Sequence, residues 1–206
     1  MGNREEMEKL GFKEGAISEC IVTTFNEDHS PNAAPIGVVL KDGKAIMKLH
    51  TFSDTYRNLI KSNCCVLNIV FDPFLFLKTA IVGQGKGKDE LEIETKQVAE
   101  ATHIEAPYIS DADAYIELKL RSHEEREMHD RHGKAKVSIV RCEIESINVI
   151  KEYPLAINRG LFAAIELAIL LSRGEKKGAR RYLQIMKKTL DNEEYNKIEK
   201  LLEGRL

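Results

Sequence analysis

The tightest constraint on how this chain folds lies between Asn32 and Asn58, where two strand-forming runs flank a turn and then give way to a helix. Asn-Ala-Ala-Pro-Ile-Gly-Val-Val-Leu at 32–40 predicts a strand, Lys41-Asp42-Gly43 a tight turn, and Lys44 to His50 a second strand. Asp-Gly suits a primed turn whose twist matches its flanking strands, so the two must pair antiparallel. Thr-Phe-Ser-Asp-Thr-Tyr-Arg-Asn-Leu at 51–59 then opens a helix. Ser53 has the side chain of an N-cap, and Asp54 falls in the first turn, where the helix dipole favours a carboxylate.

Other strands follow from the same signals. Ile17 to Phe25 is rich in Ile, Val, Thr and Phe, and Asp28, Ser30 and Pro31 mark the loop after it. Cys64 to Phe71 is a continuous apolar run, the pattern of a strand covered on both faces, which Asp72-Pro73 breaks. Ala114, Ile116, Leu118 and Leu120 alternate with polar residues, and Val137 to Ile150 predicts a sixth strand, with Ser122 to Lys136 a solvated hairpin end between them. Lys86 to Thr102 is polar, and its pattern fits either helix or loop. Six strands with one short helix after the third predict a mainly β fold, a closed or nearly closed antiparallel barrel.

Tyr153-Pro154 marks a boundary, dividing the chain into a barrel domain at 1–152 and a C-terminal α-helical domain at 153–206. Apolar residues recur at helical spacing from Leu155 to Arg173, Gly174 ends that helix, Lys176 to Leu190 predicts a second, and Asp191 or Asn192 caps a third ending near Leu202. Charge is divided unevenly: the 56 residues from Lys151 onward carry 12 Lys and Arg against 8 Asp and Glu in a chain whose net charge is −2. Cys20, Cys64, Cys65 and Cys142 have neither the spacing of a zinc site nor that of a disulfide framework, so they are expected as buried thiols in a reducing compartment. The charged start is no secretory signal, and Leu161 to Leu171 is too short for a membrane span, so a cytoplasmic protein with no membrane partner is expected.

Hydroxyls in a turn ahead of a helix N-terminus, with an arginine one turn in, make a place for a phosphate. Thr51, Thr55 and Arg57 are the residues that would converge on it, although plain capping accounts for Ser53 and Asp54 equally well. The small residues Ala33, Ala34 and Gly37 let a flat group approach the preceding strand. Together these features point to a phosphorylated planar cofactor. Asn68, an amide within an apolar strand, needs buried partners and is a further candidate, beside the plainer reading of a bond to neighbouring backbone.

Pro31 to Leu40, the Asp-Gly turn and His50 to Asn58 resemble the second and third strands and following helix of the FMN-binding split-barrel superfamily, which includes pyridoxamine-phosphate oxidases and flavin reductases. The resemblance implies a six-stranded split β-barrel whose strand at Ala34, Pro35, Ile36 and Gly37 lies along the flavin ring. It also implies phosphate contacts at Thr51, Thr55 and the pair Tyr56-Arg57, and Ser53 and Asn58 beside them are expected among the cofactor-binding residues. The oxidase branch has an arginine where this chain has Ala34, and a basic residue where it has Tyr56, so phosphate binding would lean on hydroxyls and amides. Val66 to Phe76 and Ile157-Asn-Arg-Gly look similar to a largely archaeal, uncharacterised group of split barrels with a C-terminal helical domain.

The implied activity is that of an FMN-dependent oxidoreductase of the flavin-reductase type, acting on a small acceptor, with a reduced nicotinamide as donor. It implies a homodimer with FMN at the subunit interface. No Gly-x-Gly-x-x-Gly fingerprint is present, so a nicotinamide would stack on the flavin without a Rossmann domain. No side chain is assigned as catalytic, because the cofactor carries the redox chemistry. The alternatives are a flavin carrier or sensor without turnover and, behind it, a nucleic-acid-binding barrel using Lys176, Lys177, Arg180 and Arg181. These four read first as a solvated helix face, and nucleic acid is not expected. His123, His129 and His132 lack metal-ligand spacing, and no metal is expected.

Overall fold

A computed structural model describes residues 3–82, 92–130, 133–151, 159–190 and 192–205. The Tyr153-Pro154 boundary, Ile157 and Asn158, residues 86–91 of the polar segment, Asp191 and His132 lie outside the described residues.

Six strands close into an antiparallel barrel in the order β1-β2-β3-β8-β7-β4. Strand β1 (Ile17–Phe25) pairs along its whole length with β2 (Pro31–Lys41), and β2 turns through Asp42 and Gly43 into β3 (Lys44–His50). Both turn residues have positive φ, 51° and 70°, the backbone a primed turn demands. Helix α2 (Asp54–Ser62) follows, then β4 (Cys64–Ile69), which lies between β1 and β7 (Ala114–Asp130). Strand β8 (Gly133–Val149) closes the ring against β3.

Alternation decides what fills the barrel. Val22, Val38, Leu40, Met47, Leu49, Leu67, Ile116, Leu118 and Val140 point inward into one buried cluster. Cys65 joins that cluster, while its neighbour Cys64 faces outward into a separate one with Val66 and Tyr115. Burial pushes the Cys20 thiol up to about 12, and a thiol–thiol hydrogen bond with Cys142, together with burial, raises Cys65. All four cysteines are free and buried. Helix α1 (Asn3–Lys9), which the sequence pattern did not announce, adds Met7 to the same core, with Leu10 and Phe12 after it.

The hairpin end between β7 and β8 is a regular ribbon rather than a loose loop. Strand β4 covers β7 only as far as Lys119, and β3 covers β8 only from Val137, yet β7 and β8 stay paired out to Asp130 and Gly133. Register shifts at Glu117/Leu118 and Leu120/Ser122 bend the ribbon as it leaves the barrel.

A second unit comprises Phe71–Glu92 together with Tyr153–Leu206. Its later segment begins at the expected 152/153 division, and its earlier one carries α3 (Pro73–Ile81), a helix outside the expected span of 153–206. Asp72 caps α3 by accepting the Leu75 N–H at 3.0 Å, and Pro73 occupies a first-turn position where its missing N–H costs nothing. Leu77, Ala80 and Ile81 of α3 pack with Ala164 and Leu167 of α4 (Arg159–Ser172), Met186 of α5 (Ala179–Thr189) and Ile198 of α6 (Asn192–Leu202). Gly160 lets α4 approach the end of α5, because a Cβ there would lie 2.6 Å from Leu190 Cγ. Among the described residues, no helix is long and apolar enough to cross a membrane.

Candidate functional site

Strand β3 ends at His50, and three residues later Ser53 caps α2. The Ser53 Oγ accepts the Tyr56 N–H at 3.2 Å and donates to the His50 carbonyl at 2.8 Å. Thr51 donates both its N–H (3.1 Å) and its hydroxyl (3.3 Å) to the carbonyl of Lys136 on β8. The turn is thereby fixed between helix and ribbon. Phe52, between these two residues, is 69% exposed, its ring 5.1 Å from that of His50.

The structure divides the hydroxyls expected to converge here. Thr55 is buried, and its Oγ1 accepts the Asn32 amide at 3.1 Å. Asn32 and Asn58 each donate to Thr24 Oγ1, at 3.0 and 3.1 Å, and Asn58 also donates to Asn26 Oδ1 at 2.9 Å. Thr55 and Asn58 therefore tie α2 to β1 and β2 instead of facing the turn. Arg57 points away into solvent, its guanidinium 2.6 Å from Asp54 Oδ1. The expected convergence of Thr51, Thr55 and Arg57 is corrected: of the three, only Thr51 lies at the turn.

Tyr56, where the resemblance implies a basic residue, does something else. Its ring is buried in the barrel core while its hydroxyl emerges to donate to Glu125 Oε1 at 2.8 Å, with His123 Nδ1 at 3.5 Å. Burial and the bond to Glu125 raise the phenol above its ordinary value. Beside it lies the Ser138 hydroxyl, fully buried and making no completed hydrogen bond among the described residues. No local pattern announces this cluster, because His123, Glu125 and Ser138 reach Tyr56 only through the β7–β8 register.

Along β2, Ala34 and Ile36 stand opposite Val22 and Cys20 and face the core, while Pro35 and Gly37 face outward and are half-buried. Gly37 has a local reason to lack a side chain, since a Cβ would meet Ile17 Cγ2 at 3.0 Å. Ala33, also outward, is fully buried.

Asn68 is occupied by structure. Its amide donates to the Ile21 carbonyl and to Thr23 Oγ1, both at 2.9 Å, and its Oδ1 accepts the Ile109 N–H at 2.7 Å. Thr23 in turn donates to the Pro107 carbonyl at 2.5 Å. These bonds fasten the hairpin of β5 (Val98–Glu100) and β6 (Pro107–Ile109) to the outer face of the barrel, helped by Tyr108 stacked on Tyr115 at 4.0 Å. Glu117, fully buried on that face, accepts the N–H groups of Thr102 (3.3 Å) and His103 (2.8 Å). Burial alone would raise its carboxyl, but the donors from His103, Ser146 and Thr102 outweigh it and hold the pKa below the ordinary value. Among the described residues, no three His, Cys, Asp or Glu side chains gather as a metal site.

Residues 18–151 match the family described as "Protein of unknown function (DUF447) N-terminal domain". The chain belongs to the DUF447 family. A relative, the uncharacterised protein MJ1453 of Methanocaldococcus jannaschii, is 29% identical over 157 residues, covering 76% of this chain and 74% of that one. The FMN-bound DUF447 protein MM1853 of Methanosarcina mazei has a similar structure, with TM-score 0.73 and 24% identity over 97% of this chain and all of that one. A putative flavin reductase with a split-barrel domain from Shewanella frigidimarina aligns at TM-score 0.51 and 18% identity, over 73% of this chain and 75% of its own. The DUF447 barrel of this chain is therefore a split barrel followed by helices.

Proposed function

We propose that this DUF447 protein binds FMN and acts as a flavin-dependent oxidoreductase of the flavin-reductase type. The observation that carries the reading is the turn at residues 51–53, where the α2 N-terminus and the Thr51 and Ser53 hydroxyls sit at the end of the hairpin whose first strand carries Ala34 to Gly37. The FMN bound to the similar M. mazei protein supports the choice of ligand. Flavin reductases among the similar folds support the choice of activity.

Bound FMN would supply hydride chemistry at its ring. The chain's own residues position it. First-turn amides of α2 would hold the phosphate, joined by the hydroxyls of Thr51 and Ser53 on exchanging their bonds to the Lys136 and His50 carbonyls for the anion, and the main chain from Ala34 to Gly37 would offer hydrogen bonds along the ring's edge. Asn58, Thr55 and Asn32 hold α2 at its angle to β2 from behind, so phosphate and ring subsites keep a fixed spacing. Tyr56 fixes the same helix to the ribbon. A homodimer with FMN at its interface is part of this proposal; the outward Pro35 and Gly37 and the 68%-exposed Ile17 give it an apolar surface.

The test is anaerobic reduction of the flavin-loaded protein by NADH or NADPH. Bleaching of the flavin band, with reoxidation by an added small acceptor over several turnovers, is the expected result. A protein that holds FMN but is not reduced by either nicotinamide is a carrier or sensor, and the enzymatic part of the proposal then falls.

A further inference from the structure

We infer that Lys136, not Arg57, is the cation that meets the phosphate in the proposed flavin site and makes the protein prefer FMN to riboflavin; the inference rests on the reading above. Lys136 lies 85 residues from Thr51 in sequence, yet it is the residue to which the turn is tied, through both the N–H and the hydroxyl of Thr51. The side of the strand from which its side chain leaves follows from alternation. Ser138, two residues on, shares a face with Lys136, and the Ser138 hydroxyl lies beside the Tyr56 phenol of α2. Lys136 therefore projects from β8 on the side where α2 lies, beside the turn that begins the helix.

Charge accounting favours the same residue. A phosphomonoester carries roughly −1.5 to −2 at neutral pH. At the α2 N-terminus, Asp54 repels it and Arg57, bound to Asp54 at 2.6 Å, does little more than cancel that repulsion. The helix dipole contributes only about half a positive charge. Lys136 is exposed and makes no ion pair with a described residue, so its full charge is available to an anion at the turn. Glu127 stands opposite it in the ribbon register and competes for it, without closing an ion pair among the described residues. An anion at the turn gains Lys136 by giving it a nearer partner than Glu127.

The inference identifies the phosphate as the specificity handle of the site. Riboflavin has the same ring and no phosphate, so Lys136 should not affect it. The experiment measures dissociation constants of FMN and riboflavin by flavin fluorescence quenching with the full chain, for the unaltered protein, Lys136→Gln, Lys136→Arg and Arg57→Gln, with thermal melts to show each is folded. Lys136→Gln should weaken FMN by roughly tenfold, the scale of one charge-assisted bond, and leave riboflavin nearly unchanged. Lys136→Arg should restore the preference, and Arg57→Gln should alter neither ligand by more than about twofold. In the unaltered protein, raising salt should shrink the ratio of the two affinities. Equal loss for both ligands in Lys136→Gln, no loss, or a loss found instead in Arg57→Gln would each overturn the role given to Lys136 while leaving flavin binding in place. If the unaltered protein binds neither flavin, the proposed function fails first and this inference with it.

Discussion

The two ends of the Thr51–Asn58 motif carry the same kinds of side chain and meet opposite fates. At Thr55 and Asn58 the polar groups are turned inward and used up, each bonded to Asn32, Thr24 or Asn26. At Thr51 and Ser53 they stay nearer the surface, holding the turn through bonds to the Lys136 and His50 carbonyls and capping α2. The first set costs stability if broken and offers a ligand nothing. The second contributes little to the core, and the proposed function places the FMN phosphate there. Folding sorts one stretch of hydroxyls and amides into scaffold and candidate site, and composition cannot say which is which.

The largest expected effect is on the scaffold side. Asn32→Ala removes the amide that bonds Thr55 and Thr24 beneath α2, and leaving a buried polar group such as the Thr55 hydroxyl without that partner costs about 1–3 kcal/mol. Chemical denaturation should show a loss on that scale, with flavin affinity falling only as far as the folded population does. A loss of affinity in fully folded protein would break the comparison, making Asn32 part of the site.

A pH effect of intermediate size should appear on the outer face. Glu117 has a depressed pKa, so the folded state binds its proton less readily than the unfolded chain does. Its contribution is complete above the unfolded value of about 4.3 and is lost as pH falls through the lower folded value. Thermal melts from pH 6 downward should therefore fall more steeply for the natural protein than for Glu117→Gln below about pH 4.3. Identical profiles would show that the carboxylate does not hold the Thr102–His103 segment as the geometry indicates.

The smallest stability effect belongs to the turn. Ser53→Ala removes the N-cap and should cost about 1 kcal/mol. It sharpens the comparison because affinity for FMN should drop by more than that stability loss explains, the reverse of Asn32→Ala. A change in melting temperature alone, with FMN affinity intact, would return Ser53 to simple capping.

Much of the barrel was legible in the chain because its signals are local. Asp42-Gly43 fixes the β2–β3 turn, and alternation from Ala114 to Leu120 shows which residues face the core. The helix α3 was hidden because Asp72-Pro73 reads as a break. The same pair starts a helix when Asp caps and Pro takes the first turn. Within the candidate site, the turn itself was legible and the side chains that gather at it were not. Thr55 and Arg57 look like anion ligands by spacing, but a helix rotates about 100° per residue and turns one toward β2 and the other toward solvent. Lys136 and the Tyr56–Glu125–His123 cluster could not be read at all, since they depend on strand pairings that join residues 67 to 85 positions apart.

The most direct test of the account is the visible absorption spectrum of the purified protein, with the ligand released by denaturation identified by mass. A flavin band yielding FMN at about one per chain is the result the account predicts. A colourless protein that takes up no added FMN would contradict it, and the turn at Thr51 to Ser53 would then be a helix cap and nothing more.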